Sequence, residues 1–387
     1  MGGGRAMRYL KAVCGVICFA LLASNVWSMS RWNEARGVYD DVCYLRQAHL
    51  FQRFGLGGFD TDVFRDDDGW LKAKLQEIGF PTFNDVTTLP CHTPMPATGK
   101  TVLQYPPGTG MVLALFPQGH QAVRLYVSAT VIIFGFALLG IYYARSTAST
   151  LLATALGCMA IYLMINPAKA SYSMAPTMVA CALAGFLTAR WLAASQRDSR
   201  TWLAILTGLV LGLSVDFRLP NLFLASGYLL YLLISFLPFR KIATAVQGIC
   251  FAAAYLLGMA PTLVSNAINA GSPFATTYGN ADVVAPEFSL RIVWQYVADM
   301  QFVLLLLAAG GTAYLLRNRR ENGARRVALV TAANLAVNLA FFLSHPVVTP
   351  YYTVPVAMLS LWSLLFAALM QPREAVEDAA VARAAQA

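Results

Sequence analysis

The sequence predicts an all-α polytopic membrane protein with about ten transmembrane helices and one large outer loop. Three observations predict it. Only 12% of the 387 residues are charged and 58% are apolar, where soluble domains run near 25% and 45–50%. The charge-free stretches come in lengths close to the roughly 20 residues that cross a hydrocarbon core. The short segments between them are basic on one side of the count and nearly neutral on the other, as the positive-inside rule requires. A mean hydropathy of +0.56 excludes a disordered chain and speaks against an ordinary soluble enzyme. The net charge of +9 would suggest a nucleic-acid partner in a soluble protein. Here it reports topology, and the expected partner is the lipid bilayer, with no nucleic acid.

Taken in order, the uncharged runs 12–30, 125–144, 146–168, 170–189, 201–215 and 219–239 each fit one span. The run 242–281 holds a span over about 242–265 with a polar tail, and 300–316 is a short one. The run 327–372 is too long for one helix. Ser344-His345-Pro346 and Pro350 break it, so it reads as two spans with a turn between. The first run follows Arg5, Arg8 and Lys11 and reads as an uncleaved signal anchor. With a cytoplasmic N-terminus, 16 Lys and Arg and 5 acids fall inside, against 12 and 14 outside. All four histidines fall outside as well. The organisation is then one membrane domain over 1–370, with outer loops at 29–110 and 266–299. The Ala-rich, charged segment 371–387 is a cytoplasmic tail.

Long loops between adjacent helices are usually functional or disordered. The loop 29–110 reads as ordered, because apolar residues recur at 44, 45, 48, 51 and 54 and again at 70, 71, 75 and 78. Helices of that kind, basic on one side, suit the membrane surface. Cys43 and Cys91 are the cysteines in outer segments; they form either a disulfide or two free thiols. Gly99-Lys100-Thr101 ends like a phosphate loop, but Pro94 stands where its first glycine belongs. Asp60, Asp62, Asp66, Asp67 and Asp68 lack the calcium-loop ladder, with Arg65 and Leu71 at the places of its Gly and Glu. They read as a solvated acidic turn.

Asp40-Asp41 opens the first of these helices. Either carboxylate can cap it, or one can act as a general base on an acceptor hydroxyl. The stretch Asp40-Asp41-Val42-Cys43-Tyr44-Leu45-Arg46-Gln47-Ala48 resembles the acidic pair and helix that begin the first outer loop of the GT-C superfamily. The likeness is to the glycosyltransferase family 39 and aminoarabinose transferase relatives. Tyr105-Pro106-Pro107-Gly108-Thr109-Gly110, Gly271-Ser272-Pro273-Phe274 with Tyr278-Gly279, and Tyr351-Tyr352 before Pro355 are similar to later segments of that family.

The resemblance implies a GT-C-like fold and an inverting transfer of sugar from a polyprenyl-phosphate donor. The acceptor would be a hydroxyl on a lipid, polysaccharide or protein, at the outer face of a bacterial inner membrane. Asp40 would be the base and Asp41 its helper. Arg218 would meet the donor phosphate; Lys169, and Lys100 or Arg124, are further candidates only because they are basic residues at outer span ends. Tyr44, Tyr105, Tyr278, His345, Tyr351 and Tyr352 would line the substrate; taken singly, Tyr105, Tyr278, Tyr351 and Tyr352 read as the interfacial aromatic belt and His345 as a hydrogen-bonded wall residue. Two departures stand out. Met174 occupies the place of a second carboxylate that many relatives carry, so a divalent metal is possible but unsupported and no cofactor is certain. Pro350 stands where the late segment usually has an arginine. At about 1.5 Å per residue the run 201–215 covers about 22 Å, short of the core, which draws Arg218 to the outer rim. The alternative is a lipid or small-molecule transporter or flippase. Its expected mid-span charges are scarce here.

Overall fold

The computed structural model describes residues 2–32, 34, 39–165, 171–238, 240–278, 285–318, 322–345 and 350–370. Lys169, Asp282, Pro346 and the tail 371–387 lie outside the described residues.

Among the described residues the elements are helices apart from one two-stranded hairpin. The long helix α1 (Gly2–Met29) leads into the outer loop. The loop folds as α2 (Tyr39–Phe54), α3 (Trp70–Glu77), the strands β1 (His92–Met95) and β2 (Lys100–Leu103), and the short α4 (Gly108–Ala114). The bundle continues with α5 (Gln121–Tyr143), α6 (Thr147–Leu163), α7 (Met174–Ala193), α8 (Arg197–Phe217) and α9 (Ser226–Phe236). It is completed by α10 (Ile242–Gly258), α11 (Ala260–Ala270), α12 (Leu290–Ala298), α13 (Phe302–Asn318), α14 (Asn322–Ser344) and α15 (Val354–Leu369).

Among the described residues six helical segments are long and apolar enough to cross a membrane, and up to eight crossings result if each bent pair counts as one. The pairs are α10 with α11, bent by 51°, and α12 with α13, bent by 90°. The first bend has a plain cause: Pro261 lies in the first turn of α11, where a missing N–H costs nothing but the preceding helix must stop. The protein is thus a polytopic helical membrane protein, as composition predicts.

Contacts show which helix ends share a side. Lys11 on α1 donates to the Tyr142 carbonyl of α5, and the Thr150 hydroxyl of α6 meets the Met7 sulfur. At the opposite end the start of α7, the end of α8, the start of α11 and the turn before α15 come together, as detailed below. The core is centred on α7, which packs on α5, α8, α14 and α15. Trp191, Tyr228 and Phe251 stack there, with centroids 5.8–6.3 Å apart. Gly208, Gly212 and Gly258 let α8 and α10 approach backbone to backbone, the small-residue seam typical of helices packed in lipid.

The outer loop differs from the expected pair of membrane-surface helices. Residues 41–48 of α2 are all buried in the protein, and Leu71 and Leu75 of α3 pack on Val42, Val63 and Leu89. The loop therefore caps the bundle rather than lying on lipid. The helix that does carry an exposed apolar face is α12, with Leu290 76% and Trp294 69% exposed.

The Gly99-Lys100-Thr101 segment is a hairpin turn, with Gly99 at φ +69° and Met95 paired to Lys100. Cys43 and Cys91 are joined as a disulfide, tying α2 to this hairpin. The acidic turn is consumed locally. Asp66 accepts from the backbone of Leu71 and Lys72 at the start of α3, Asp67 pairs with Arg53, and Asp68 pairs with His49.

Candidate functional site

Three segments distant in sequence meet at the mouth formed by the loop and the bundle: the first turn of α2, the gap between α8 and α9, and the turn before α15. Asp41 is 3% exposed, and its Oδ1 accepts from the Tyr172 backbone N–H at 3.0 Å. That bond, across 131 residues, pins the start of α2 to the start of α7. Asp40 is half-buried beside it and faces the Tyr105 phenol. The two carboxylates therefore have different surroundings, one fixed to backbone and one turned toward a cluster of tyrosines.

Tyr44 lies one helical turn beyond Asp40 and Asp41 and stacks on Tyr105, centroids 4.9 Å apart. Tyr105 in turn meets Tyr278 edge-on at 6.1 Å. Burial, more than any other cause, holds the phenols of Tyr44, Tyr105, Tyr278 and Tyr351 above their ordinary range. They stay protonated and can donate hydrogen bonds at any physiological pH.

Arg218 follows α8 in extended conformation, at φ −154° and ψ 127°. The expected reason for its place fails: α8 is 21 residues long because it begins at Arg197, and about 31 Å of helix is not short. Arg218 reaches the site because the chain leaves the helix there. It is 6% exposed. Its guanidinium lies 4.7 Å over the Tyr351 ring and 5.6 Å from that of Tyr352, and Nη1 contacts the Met174 sulfur at 2.6 Å. Among the described residues no carboxylate lies within ion-pairing distance of it. Its neighbour Asp216 is turned away and accepts from the N–H and hydroxyl of Thr262, capping α11.

The segment Pro107-Gly108-Thr109-Gly110 fastens these parts together. A Cβ on Gly108 would lie 2.6 Å from Asp216 Cβ, and one on Gly110 would lie 2.6 Å from the Gln47 side chain. The Thr109 hydroxyl donates to the Phe217 carbonyl. Both glycines are needed for close approach of α4 to α8 and α2. Gly108→Ala is therefore expected to destabilise the protein by about 1–3 kcal/mol through overpacking, read as a lower thermal midpoint in detergent.

Other predicted residues fall elsewhere. Lys100 pairs with Asp60 at 3.1 Å and donates to the Ile268 carbonyl, clamping the hairpin onto α11. His345 stacks on Phe341 at 5.6 Å, and Phe341 stacks on Phe223, so the histidine is part of the aromatic wall near Tyr352. Lys169 lies outside the described residues. Among the described residues no three His, Cys, Asp or Glu side chains gather as a metal site.

Two groups were not singled out by sequence reasoning. Ser173 faces the Tyr44 phenol and exchanges a hydrogen bond with Ser171 at 2.7 Å. Arg46 is 1% exposed and donates to the carbonyls of Asp62 and Val63. Its Nη1 also lies 3.3 Å from His92 Nε2. No local pattern announces either, because Tyr44 lies 129 residues from Ser173, and the carbonyls that hold Arg46 lie 16 and 17 residues away.

Burial first, and Arg46 next, push His92 down to about 3. An unfolded histidine titrates near 6.5. Between those values the unfolded chain takes up a proton that the folded loop refuses, so stability falls as pH falls through that window. At about 1.4 kcal/mol per unit, the loss amounts to a few kcal/mol by about pH 3. Thermal midpoints against pH should show it, and His92→Gln should flatten the slope.

The fold and the site together define a polytopic helical membrane protein with a buried carboxylate–arginine–tyrosine cluster at one end of the bundle. Comparison with family models, curated proteins and solved structures finds no match to this chain.

Proposed function

We propose that this protein is an inverting, polyprenyl-phosphate-dependent glycosyltransferase of GT-C type. Six long helices, two bent pairs and the shorter apolar helices α6 and α15 then make ten crossings of a bacterial inner membrane. The loop-and-tyrosine end faces the periplasm. The Cys43–Cys91 disulfide suits such an oxidising compartment, and the basic loops at the other end suit the cytoplasm.

One observation carries the reading. Arg218 is nearly fully buried, yet its partners are a thioether and two aromatic rings. Among the described residues no carboxylate pairs with it, and a buried cation without a counter-charge is costly. A lipid phosphate arriving at the bilayer edge would supply that charge. Phosphate chemistry also favours arginine, whose planar fork binds two oxygens at once.

In this reading the donor phosphate sits on Arg218, with the Tyr351 ring holding the guanidinium in place. The acceptor hydroxyl approaches Asp40, which takes its proton as the oxygen attacks the anomeric carbon. The bond to the phosphate oxygen breaks, and Arg218 meets the charge that develops on the leaving group. A single displacement inverts the sugar. Asp41, fixed to the backbone of Tyr172, orients the turn that presents Asp40. The buried tyrosines can donate hydrogen bonds to sugar hydroxyls and stack on the ring.

Met174 supplies a sharp test. Met174→Glu places a carboxylate against Arg218 and competes with the donor phosphate. The donor KM is expected to rise about tenfold or more, while Met174→Leu leaves it within a few-fold. The assay is transfer from a polyprenyl-phosphate sugar in membranes, or the glycolipid mass profile of a deletion strain carrying each variant. If no polyprenyl-phosphate sugar is consumed by the wild type, the transferase reading fails in favour of transport.

A further inference from the structure

A groove runs along the opposite half of the bundle, far from the chemistry just described. Its floor is the C-terminal half of α15, through Leu361, Leu364 and Leu365. One wall is α6 and the other is α13. Both walls pack on α15, so α15 lies recessed between them. The groove encloses about 330 Å³. Leu152 on one rim and Leu307 on the other are 58% and 49% exposed, so it opens sideways, toward hydrocarbon.

Its lower mouth is basic. Arg317 lies in the last turn of α13, one turn beyond Tyr314, a lining residue; residues three apart are neighbours on a helix surface. Arg145 stands before Ser146, the N-cap of α6, seven residues ahead of the lining residue Leu152, and its backbone N–H bonds the Ser149 hydroxyl. Both arginines are exposed, and neither meets a carboxylate among the described residues. Arg325 and Arg326 lie near the start of the next helix, α14.

We propose that this groove seats an acyl chain of an anionic phospholipid from the leaflet on the basic side, with its phosphate held by Arg317 and Arg145. The apolar walls match the chain, and the two cations at one end match the headgroup. A neutral helix of a partner would use the walls and leave the arginines idle. Anionic headgroups are what basic segments beside a membrane attract. The proposal is independent of the transferase reading, since no residue of the outer cluster takes part.

The test is native mass spectrometry of the full chain titrated with phosphatidylglycerol or phosphatidylcholine of the same chains. The wild type is expected to retain phosphatidylglycerol preferentially. Arg145→Gln with Arg317→Gln should weaken its retention about tenfold and leave phosphatidylcholine unchanged. Ala155→Phe, at an exposed wall position, should weaken both lipids by filling the groove. Equal retention of the two lipids by the wild type would overturn the proposal. So would an adduct that survives Ala155→Phe, because the headgroup would then be held without the groove.

Discussion

Asp40→Asn is expected to reduce sugar transfer about 10²–10⁴-fold, the range that a positioned general base contributes. The substitution keeps the size and hydrogen-bonding shape of the side chain and removes only its basicity. The donor KM should change little, because the proposed reading assigns the donor phosphate to Arg218 and not to Asp40. The thermal midpoint should also hold, since Asp40 is half-buried and the backbone bond that fixes the turn belongs to Asp41. Asp41→Asn is the contrasting case. It weakens the bond to Tyr172 and should lower stability as well as turnover. Transfer undiminished in Asp40→Asn would remove the base assignment while leaving the fold argument intact.

Arg218→Gln is expected to cost about 10²–10³-fold in turnover, the scale of losing one preorganised group that meets developing charge. The donor KM should rise with it, because the proposed reading has the guanidinium serve both bound donor and leaving group. Arg218→Lys should recover part of the loss and no more. Lysine supplies the charge but neither the two-pronged donor geometry nor the flat face that rests 4.7 Å over Tyr351. Tyr351→Leu should show a smaller effect of the same kind by loosening the guanidinium. Wild-type kinetics in Arg218→Gln would leave the buried cation without the phosphate role assigned to it.

Much of this architecture is legible along the chain. Hydrophobic runs and basic loops announce a helical membrane protein, because lipid demands internally bonded helices about 20 residues long. The acidic pair, the tyrosines and Arg218 stand out as polar groups in an apolar chain. The rest required the fold. Nothing local says that α2 is buried, since its mixed helix could equally have lain on lipid. Nothing local separates Lys100, spent on Asp60, from Arg218, which pairs with no carboxylate among the described residues.

The sequence by itself determined the class of protein and the inventory of polar groups on the outer side. Both follow from composition and period, which act over neighbouring residues. Only the tertiary structure decided which groups share a site. Asp41 meets Tyr172, Arg218 meets Met174 and Tyr351, and Gly108 meets Asp216, across separations of 44 to 133 residues. Such contacts depend on how the helices cross and which ends share a side. Close-packed small residues and a few trans-acting caps fix those features, and no single stretch of sequence contains both partners.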